Sequence, residues 1–342
     1  MNLTKNCIEI SSFGKIDSGI IHQYTLKNEN GMQVKILNYG GIITNLLVPD
    51  KNNVMGDVVL GFDSLENYIL HGQFYFGCLI GRYAGRIPGA RISFDGNTYV
   101  LPDNNDGNTL HGGWKGFDKV IWKATPSETD CSIRINYVSK NGEEGFPGNL
   151  SVEVVYTLTP DNSLKIDYRA FTDTATPVNL THHSYFDLSA GKEKNILQHE
   201  LMLNANEYAT EPGKLPQSVK ETAMDFTKVK KIGTDIGLTN GGYDNCWILK
   251  ETNHTVRLAA TVHHQESGRY MEVFTTSPAI VFYTGNFLDG SVIGKNEKNY
   301  NKRSGFCLET QCYANDPESF EKTLLRPGSV YRQTTIYHFS TR

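Results

Sequence analysis

The chain has 342 residues, enough to bury a large core, and its length alone allows either one large domain or two smaller ones. Lysine and arginine number 33 against 37 aspartates and glutamates, so the net charge is −4 and no basic face favours nucleic acid as a partner. No apolar stretch approaches the length of a secretory leader or a membrane span, so we expect no membrane association.

Six cysteines are spread thinly along the chain, at Cys7, Cys78, Cys131, Cys246, Cys307 and Cys312. They form no CxxC pair, which argues against a structural zinc site, and they are too sparse for a disulfide framework. We therefore expect reduced thiols in a cytoplasmic protein. A periplasmic protein without its leader would show the same pattern.

Alternating apolar and polar residues predict β-strands along most of the chain. A strand at residues 33–37 is followed by a hairpin at residues 92–101 with a turn at Asp95, Gly96 and Asn97. The clearest hairpin joins residues 151–158 to residues 164–170 across a polar turn, with one face buried. Further strands are predicted at residues 131–138, 255–260, 270–275, 279–283 and 333–338.

Helical periodicity is rare. The two predicted helices are residues 64–70, capped by Asp63 or Ser64, and residues 317–322. Many short strands separated by polar turns, without helices between them, favour antiparallel sheets over a parallel βαβ sheet. No linker or internal repeat marks a boundary. The sequence therefore predicts an all-β protein, a large antiparallel β-sandwich in a single domain over residues 1–342.

Residues 179–188, NLTHHSYFDL, place two adjacent histidines among strand-forming residues. Since successive side chains on a strand point to opposite faces, His183, Tyr185 and Asp187 are expected on one face and His182 on the other. Only one of the two histidines can then point into a given cleft.

The segment CLETQ places Glu309 in another predicted strand, on the same face as Cys307 and Gln311. If the strand is central, Glu309 is buried, and burial of a carboxylate is costly unless it has a charged or hydrogen-bonding partner or a catalytic function. If the strand lies at an edge, Glu309 lies in water. A histidine and a glutamate are sufficient to move protons between oxygens at neutral pH. Their ordinary pKa values, about 6.5 for histidine and 4.3 for glutamate, can both be shifted toward 7 by the protein.

Three further segments contain candidate polar groups. His111 precedes two glycines, which permit close backbone approach, although a loop histidine is often only a turn residue. In GRYAGRI, Arg82 and Arg86 lie four apart, and either could donate to hydroxyls or a carboxylate or form a structural salt bridge. Asp244 lies in the glycine-rich NGGYDNCW, where an Asx turn is the alternative.

Taken in order, several motifs resemble those of the aldose 1-epimerases, the galactose mutarotases: GRYAGRI, NTLHGG, NLTHHSYF, GGYDN, VFYTGNFLDG and SGFCLETQ. The resemblance extends from residue 37 to residue 335. It implies a single large β-sandwich of the galactose mutarotase-like (supersandwich) type with an open sugar-binding cleft. It also implies interconversion of the α and β anomers of a free hexose, without a cofactor.

The same resemblance implies roles for individual residues. Glu309 of the LET motif would be the catalytic base, and His183 of the HSYF motif, not His182, would be the acid. Sugar-positioning roles fall on Arg86, His111 and Asp244, with Tyr185 in the same cleft. The base would take the C1 hydroxyl proton while the acid protonates the ring oxygen, and this pairing predicts a bell-shaped pH profile.

Three positions depart from the family pattern. Gly85 and Asp187 stand where many relatives have asparagine, and Val281 stands where many have glutamine. The positions of Gly85 and Val281 touch sugar in relatives, so these two departures bear on sugar preference more than on the reaction.

The same residues allow several alternative functions. A metal site of His111, His183 and Glu309 lacks HxH or HExxH spacing, and the reaction needs no Lewis acid, so no metal is expected. A glycosidase would pair Glu309 with Asp187 or Asp244. A sugar-phosphate epimerase would need a basic cluster that no segment offers, and a substrate at the reducing end of an oligosaccharide is a further alternative. A non-catalytic sugar-binding sandwich would not need both His183 and Glu309.

The expected partner is a free monosaccharide, and the expected assembly is a monomer or weak homodimer.

Overall fold

A computed structural model describes residues 7–209, 215–250, 255–313 and 320–342. Within these ranges all the paired strands run antiparallel. One isolated parallel bridge joins Tyr83 to Asn179. No helix in the described ranges has the length and hydrophobicity needed to cross a bilayer.

The largest sheet has nine strands. Across the sheet their order is Lys123–Pro126, Ser132–Ser139, Leu150–Leu158, Ser163–Thr172, Tyr331–Thr341, Arg269–Thr275, Arg257–His264, Glu200–Leu203 and Lys230–Lys231. The predicted hairpin forms the third and fourth strands of this order, where Val154 pairs with Tyr168 and both side chains are buried. The alternation in sequence therefore identified a strand pair with one face in the core.

A six-stranded sheet packs against the nine-stranded one. Its order is Tyr185–Phe186, Phe306–Gln311, Ala279–Tyr283, Asp244–Leu249, Ala205–Ala209 and Gln217–Ser218. The Tyr337 hydroxyl donates to the Leu308 carbonyl at 3.2 Å, and the Gln333 amide donates to the Thr310 carbonyl at 2.9 Å. Because Leu308 is buried in this interface, its strand neighbours on the opposite face point away from the core.

Smaller sheets surround these two layers. A five-stranded meander contains Ile8–Ile16, Gly19–Lys27, Gln33–Leu37, Ile43–Pro49 and Met55–Asp57. Two-stranded pairs join Leu79–Ile80 to Thr181–His182, Arg86–Pro88 to Asn108–Leu110, Arg91–Phe94 to Asn97–Val100, Thr176–Pro177 to Leu324–Leu325, and Val292–Ile293 to Asn299–Tyr300. The predicted all-β antiparallel sandwich is confirmed.

The helices are short. The two α-helices are Leu65–Leu70 and Phe320–Thr323, and 3₁₀ turns occupy Gly72–Phe74, Phe117–Lys119, Glu143–Gly145, Ile236–Leu238 and Lys295–Glu297. Of the two proposed caps for the first helix, Ser64 is the one used: its side chain accepts from the Asn67 backbone N–H at 3.3 Å. The predicted second helix at residues 317–322 lies partly outside the described residues, and the observed one extends to Thr323.

Candidate active site

A cleft of about 370 Å³ opens over the face of the six-stranded sheet that is turned away from the core. This volume lies within the range of small-ligand sites. The cleft is lined by all six predicted site residues, Arg86, His111, His183, Tyr185, Asp244 and Glu309. They come from segments spread over more than 220 residues of sequence, and the antiparallel sheet brings them together.

Glu309 lies on an inner strand of the sheet. The strand Phe306–Gln311 pairs on one side with Ala279–Tyr283, where Glu309 faces Val281, and on the other side with Tyr185–Phe186. Glu309 is only 3% exposed. The alternative of an edge strand with Glu309 in water is therefore wrong, and the buried carboxylate needs a chemical reason for its position.

The adjacent histidines face opposite ways, as the two-residue period predicts. His183 lines the cleft, and its backbone N–H donates to the Cys78 carbonyl at 2.8 Å. His182 lies in the core, with its ring edge-on to Tyr156 at 5.9 Å between centroids. Tyr185 follows His183 on the cleft side, with its ring 5.1 Å from the imidazole.

Asp187 does not continue this face, so that prediction is wrong. The strand ends at Phe186 and the chain turns, so the alternation of side chains stops. The Asp187 carboxylate instead accepts hydrogen bonds from the backbone N–H groups of Ser189 and Gly191, at 2.9 and 2.8 Å. Asp187 is therefore a structural residue of the turn, and it offers no second carboxylate to the cleft.

His183 and Glu309 form a buried acid–base pair, with Nε2 and Oε1 3.6 Å apart. Burial lowers the pKa of His183 to about 4. Burial also raises the pKa of Glu309 to about 8; the nearby charge of Asp244 adds to this increase and that of Arg86 opposes it.

Between these two pKa values the pair holds a single proton. Burial favours placing that proton on Glu309, which leaves His183 neutral. Transferring it to His183 keeps the total charge unchanged, and the resulting opposite charges attract each other across the short gap. The pair can therefore act as base and acid once a ligand with two oxygens lies between them.

Behind His183, its Nδ1 atom lies 3.5 Å from the Cys307 thiol. Cys307 is fully buried, and burial raises the pKa of the thiol well above its usual range. The thiol therefore stays protonated at neutral pH, and its sulfur is able to accept a hydrogen bond from Nδ1–H. With the proton of neutral His183 on Nδ1, Nε2 keeps a free lone pair, faces Glu309 and can take up a proton.

His111 is held by the backbone of Gly85, which immediately precedes the strand Arg86–Pro88. The Gly85 N–H donates to His111 Nδ1 at 3.2 Å. Burial lowers the pKa of His111 well below its usual value; repulsion from His183 in its protonated form, and from Arg86 and Lys119, lowers it further. The ring is therefore neutral, with Nδ1 as an acceptor, so Nε2 bears the proton and is the donor.

A glycine permits this placement of His111. His111 has φ 52° and the following Gly112 has φ 90°. A Cβ atom on Gly112 would lie 2.0 Å from the Gly81 carbonyl oxygen. Only glycine fits at position 112, so the LHGG segment brings the loop against the segment that contains the two arginines.

The two arginines of that segment have different surroundings. Arg82 is buried, and its guanidinium donates to the Ser139 hydroxyl and to the carbonyls of Pro147 and Lys140, at 2.8–2.9 Å. Arg86 lines the cleft, and its Nε donates to Asn105 Oδ1 at 2.9 Å. Arg82 therefore holds the fold together, whereas Arg86 is placed to meet a ligand.

Asp244 supplies a second carboxylate to the cleft wall at the start of the strand Asp244–Leu249. The side chain is reached by solvent through the open cleft, yet partial desolvation by the surrounding walls raises its pKa above the usual value. The charge of Arg86 acts in the opposite direction. The cleft therefore contains one arginine balanced against two acids.

Several lining residues had no distinct signal in the sequence. The Tyr75 ring lies 4.8 Å from that of His111 and 5.9 Å from that of His183. Phe287 stacks on Tyr283 at 6.0 Å, and both line the cleft. Asn105, which holds Arg86, is one of several polar loop residues before His111. Aromatic residues are common in cores, so their type alone does not indicate a cleft.

Three residues of the cleft lie close enough together to be considered as metal ligands. Ligand atoms of His111, His183 and Glu309 all lie within 4.8 Å of one another. However, the Gly85 N–H occupies Nδ1 of His111 and fixes the proton on Nε2, so neither nitrogen offers a free lone pair. These three residues therefore do not fit a metal ion.

Comparisons with known proteins identify the family of this chain. The sequence pattern of the family described as aldose 1-epimerase matches residues 22–338. Galactose mutarotase from Rattus norvegicus is 42% identical over 339 residues, which is 96% of this chain and 97% of that protein. Aldose 1-epimerase from Escherichia coli K12 is 35% identical over 329 residues, covering 92% and 94% of the two chains.

The fold comparison gives the same result. The crystal structure of galactose 1-epimerase from Lactobacillus acidophilus NCFM superimposes with a TM-score of 0.85 at 27% identity, covering 98% of both chains. An aldose epimerase homologue from C. elegans has a TM-score of 0.86 at 27% identity, covering 93% of this chain and 98% of that one. The chain therefore belongs to the aldose 1-epimerase family.

Proposed function

We propose that this protein interconverts the α and β anomers of free galactose and glucose, with Glu309 as catalytic base and His183 as catalytic acid. Family membership makes it an aldose 1-epimerase, and the mammalian relatives are named galactose mutarotases. The observation that carries the residue assignment is the buried His183–Glu309 pair, 3.6 Å apart in the wall of the cleft.

The reaction requires two proton transfers at neighbouring oxygens. To open the ring, Glu309 removes the proton of the C1 hydroxyl while protonated His183 donates to the ring oxygen. Both oxygens are bonded to C1, so an acid and a base that lie side by side can reach them together. The free aldehyde then rotates about the C1–C2 bond.

Ring closure on the other face of the aldehyde reverses these roles. Neutral His183 takes the proton of the attacking hydroxyl, and protonated Glu309 returns its proton to the C1 oxygen. The pair holds one proton before and after the cycle, so no proton is exchanged with solvent. The form with neutral His183 and protonated Glu309, which burial favours in the empty cleft, is the form that closes the ring.

Three other residues fix the sugar over the pair. His111 Nε2–H and the free guanidinium nitrogens of Arg86 donate to the ring oxygen or to hydroxyls, and Asp244 accepts from a hydroxyl pair. Tyr185 packs beside His183 in the same wall. Such positioning lowers the activation free energy, because the bound sugar already has the orientation that the proton transfers require.

Phosphorylated sugars fit this cleft poorly. Among the described lining residues, Arg86 is the one Lys or Arg side chain, and it shares the cleft with Asp244 and Glu309. A dianionic phosphate near two carboxylates would meet repulsion. Glycoside cleavage is also less well supported, because Asp187 lies outside the cleft and Asp244 is the one remaining described carboxylate beside Glu309.

We also propose a single domain over residues 1–342, a cytoplasmic location, no nucleic-acid partner and a monomer or weak homodimer. All six cysteines are free, which suits a reducing compartment. Light scattering coupled to size-exclusion chromatography tests the assembly, and a stable higher oligomer would contradict it.

Polarimetry of freshly dissolved α-D-galactose and α-D-glucose tests the activity. We expect faster relaxation to the same final rotation with the wild-type protein, and the ratio of the two rates ranks the sugars. No acceleration with either sugar would contradict the proposal. Release of sugar from a chromogenic galactoside would indicate a glycosidase instead.

A further inference from the structure

We propose that Gln311 is a sugar-binding residue, whose side-chain amide hydrogen-bonds a hydroxyl of the hexose other than the C1 hydroxyl. This inference rests on the proposed function and adds a contact to the same cleft. It also assigns a polar partner to the part of the cleft beside Gly85.

Gln311 follows Glu309 by two residues on the strand Phe306–Gln311, so both side chains leave the same face of the sheet. Both line the cleft. Alternate residues of a strand lie about 7 Å apart, which is within the span of one hexose ring and its substituents. A sugar held with C1 at Glu309 therefore brings another hydroxyl to Gln311.

The hydrogen bonding of the Gln311 amide is incomplete among the described residues. Its Oε1 is buried and has no hydrogen bond within the described part of the chain. Two other buried glutamines are paired: Gln23 Nε2 donates to the Thr44 hydroxyl at 3.0 Å, and Gln333 Nε2 donates to the Thr310 carbonyl at 2.9 Å. Buried polar atoms are rarely left unpaired in folded proteins. An unpaired acceptor in a ligand cleft therefore indicates a contact that the ligand completes.

The neighbours of Gln311 leave room for such a ligand. Its cross-strand partner is Ala279, whose side chain is a single methyl group. A Cβ atom on Gly85 would lie 3.5 Å from Gln311 Nε2, so the space beside the amide is left open by the missing side chain. Gly85 has φ 85°, a conformation that strains most other residues.

A hydroxyl is the chemical group that matches this amide. A primary amide offers one acceptor and two donors, and a hydroxyl both donates and accepts. The amide is neutral, so it selects no charged substituent. The ligand class that fits is an uncharged aldohexose with a free hydroxyl directed toward the strand end at Gln311.

The test compares wild type, Gln311→Met and Gln311→Asn. Methionine keeps the length of the side chain without its polar atoms, and asparagine keeps the amide but withdraws it by one methylene. Gln23→Met is the matched control, since it removes a buried glutamine far from the cleft in sequence and sheet. Polarimetry gives kcat and KM for galactose, and calorimetric titration with galactose gives Kd.

We expect KM and Kd for galactose to rise about tenfold in both Gln311 variants, with kcat within about twofold of wild type. Gln23→Met should keep the wild-type KM. An unchanged KM and Kd in a folded Gln311→Met protein would overturn the assignment. A fall in kcat at unchanged KM would also overturn it, because Gln311 would then support Glu309 rather than bind sugar.

A series of deoxygalactoses identifies the hydroxyl and separates this inference from the proposed function. For the 2-, 3-, 4- and 6-deoxy sugars, the hydroxyl that Gln311 binds is the one whose removal raises the Kd of wild type but not that of Gln311→Met. If removal of each hydroxyl has the same effect in both proteins, Gln311 binds none of the four. If wild type binds galactose without accelerating mutarotation, the proposed function fails and the Kd values still decide the role of Gln311.

Discussion

Among the described residues, two pairs of a histidine and a carboxylate have both side chains buried, and the two carboxylates differ in hydrogen bonding. The cleft pair consists of His183 and Glu309, at 3.6 Å, and no described residue donates a hydrogen bond to the Glu309 carboxylate. The turn pair consists of His199 and Asp187, at 3.4 Å. Asp187 also accepts from the Ser189 backbone N–H and hydroxyl and from the Gly191 N–H.

The pKa values of the two carboxylates shift in opposite directions although both groups are buried. Burial raises the pKa of Glu309 to about 8. Burial would also raise the pKa of Asp187, but the contacts with His199, Ser189 and Gly191 outweigh it and lower the pKa below the usual value. Hydrogen-bond donors thus stabilise a fixed charge in the turn. Their absence in the cleft leaves a proton that can move.

Replacing Glu309 by glutamine removes the base of the cleft pair without changing its shape. We expect kcat to fall at least about a thousandfold, or about 4 kcal/mol in activation free energy, measured by polarimetry. The circular dichroism spectrum should not change. A folded Glu309→Gln protein with more than about a tenth of wild-type kcat would show that another group is the base.

Replacing Asp187 by alanine tests the turn pair. We expect the free energy of unfolding at pH 7 to fall by about 3 kcal/mol, because buried donors lose their acceptor. Asparagine, which keeps one acceptor, should cost less. The pKa of Asp187 is lowered by folding, so its contribution is present above the unfolded value of 3.8 and is lost as the pH falls below it.

Urea unfolding at pH 7 and at pH 3 measures this difference, with kcat as the control. The alanine variant should keep kcat within about threefold of wild type, because Asp187 lies outside the cleft. A large loss of kcat at unchanged stability would reverse the roles of the two pairs.

The pH dependence of kcat/KM reports the shared proton of the cleft pair. The active form holds one proton, so kcat/KM should be highest between about pH 4 and about pH 8. It should fall about tenfold per pH unit beyond each limit, since a second proton disables the base and loss of the first removes the acid. A flat profile from about pH 5 to 9 would contradict this mechanism.

The titration of Glu309 should also change the stability of the protein, in the direction opposite to that of Asp187. The folded pKa of Glu309 is raised, so wild type loses stability as the pH rises from the unfolded value of 4.5 through about 8. Glu309→Gln has no such titration. We therefore expect the variant to be more stable than wild type at pH 9 and equally stable at pH 4, measured by thermal unfolding.

Regular alternation in the sequence was sufficient to predict the large strands. The strands Gln33–Leu37 and Ala279–Tyr283 lie at the predicted residues, and the central hairpin differs from the prediction by one or two residues at its ends. Each of these strands keeps one face in the core, so its period is visible without knowledge of its neighbours. The opposite faces of His182 and His183 followed from the same period.

Local sequence did not determine features that depend on distant partners. Arg82 and Arg86 have the same local motif, and only the carbonyls that surround Arg82 distinguish a structural arginine from one in the cleft. Whether Glu309 lies in water or in a cleft depended on strand order, which alternation does not contain. Asp187 was placed on the wrong face because the strand ends at Phe186, one residue earlier than the pattern suggested.

Replacing His111 by alanine should weaken sugar binding more than catalysis. His111 is neutral and presents Nε2–H to the cleft, so its removal deletes one hydrogen bond to the sugar. We expect KM for galactose to rise about tenfold and kcat to fall less than that. An unchanged KM would exclude contact with the sugar, and asparagine at position 111 is the control that retains a donor.

The smallest expected effect comes from Cys307, which approaches the far side of the cleft pair. Its sulfur lies 3.5 Å from His183 Nδ1 and can accept from Nδ1–H, so it favours the tautomer whose Nε2 is free to take up a proton in the cleft. We expect Cys307→Ala to lower kcat about threefold at unchanged KM, and Cys307→Ser, which keeps an acceptor for Nδ1–H, to lower it less. Equal kcat in wild type and both variants would show that the thiol only fills space. A hundredfold loss in the alanine variant would mean that the cleft pair, like the turn pair, depends on a fixed hydrogen-bond partner.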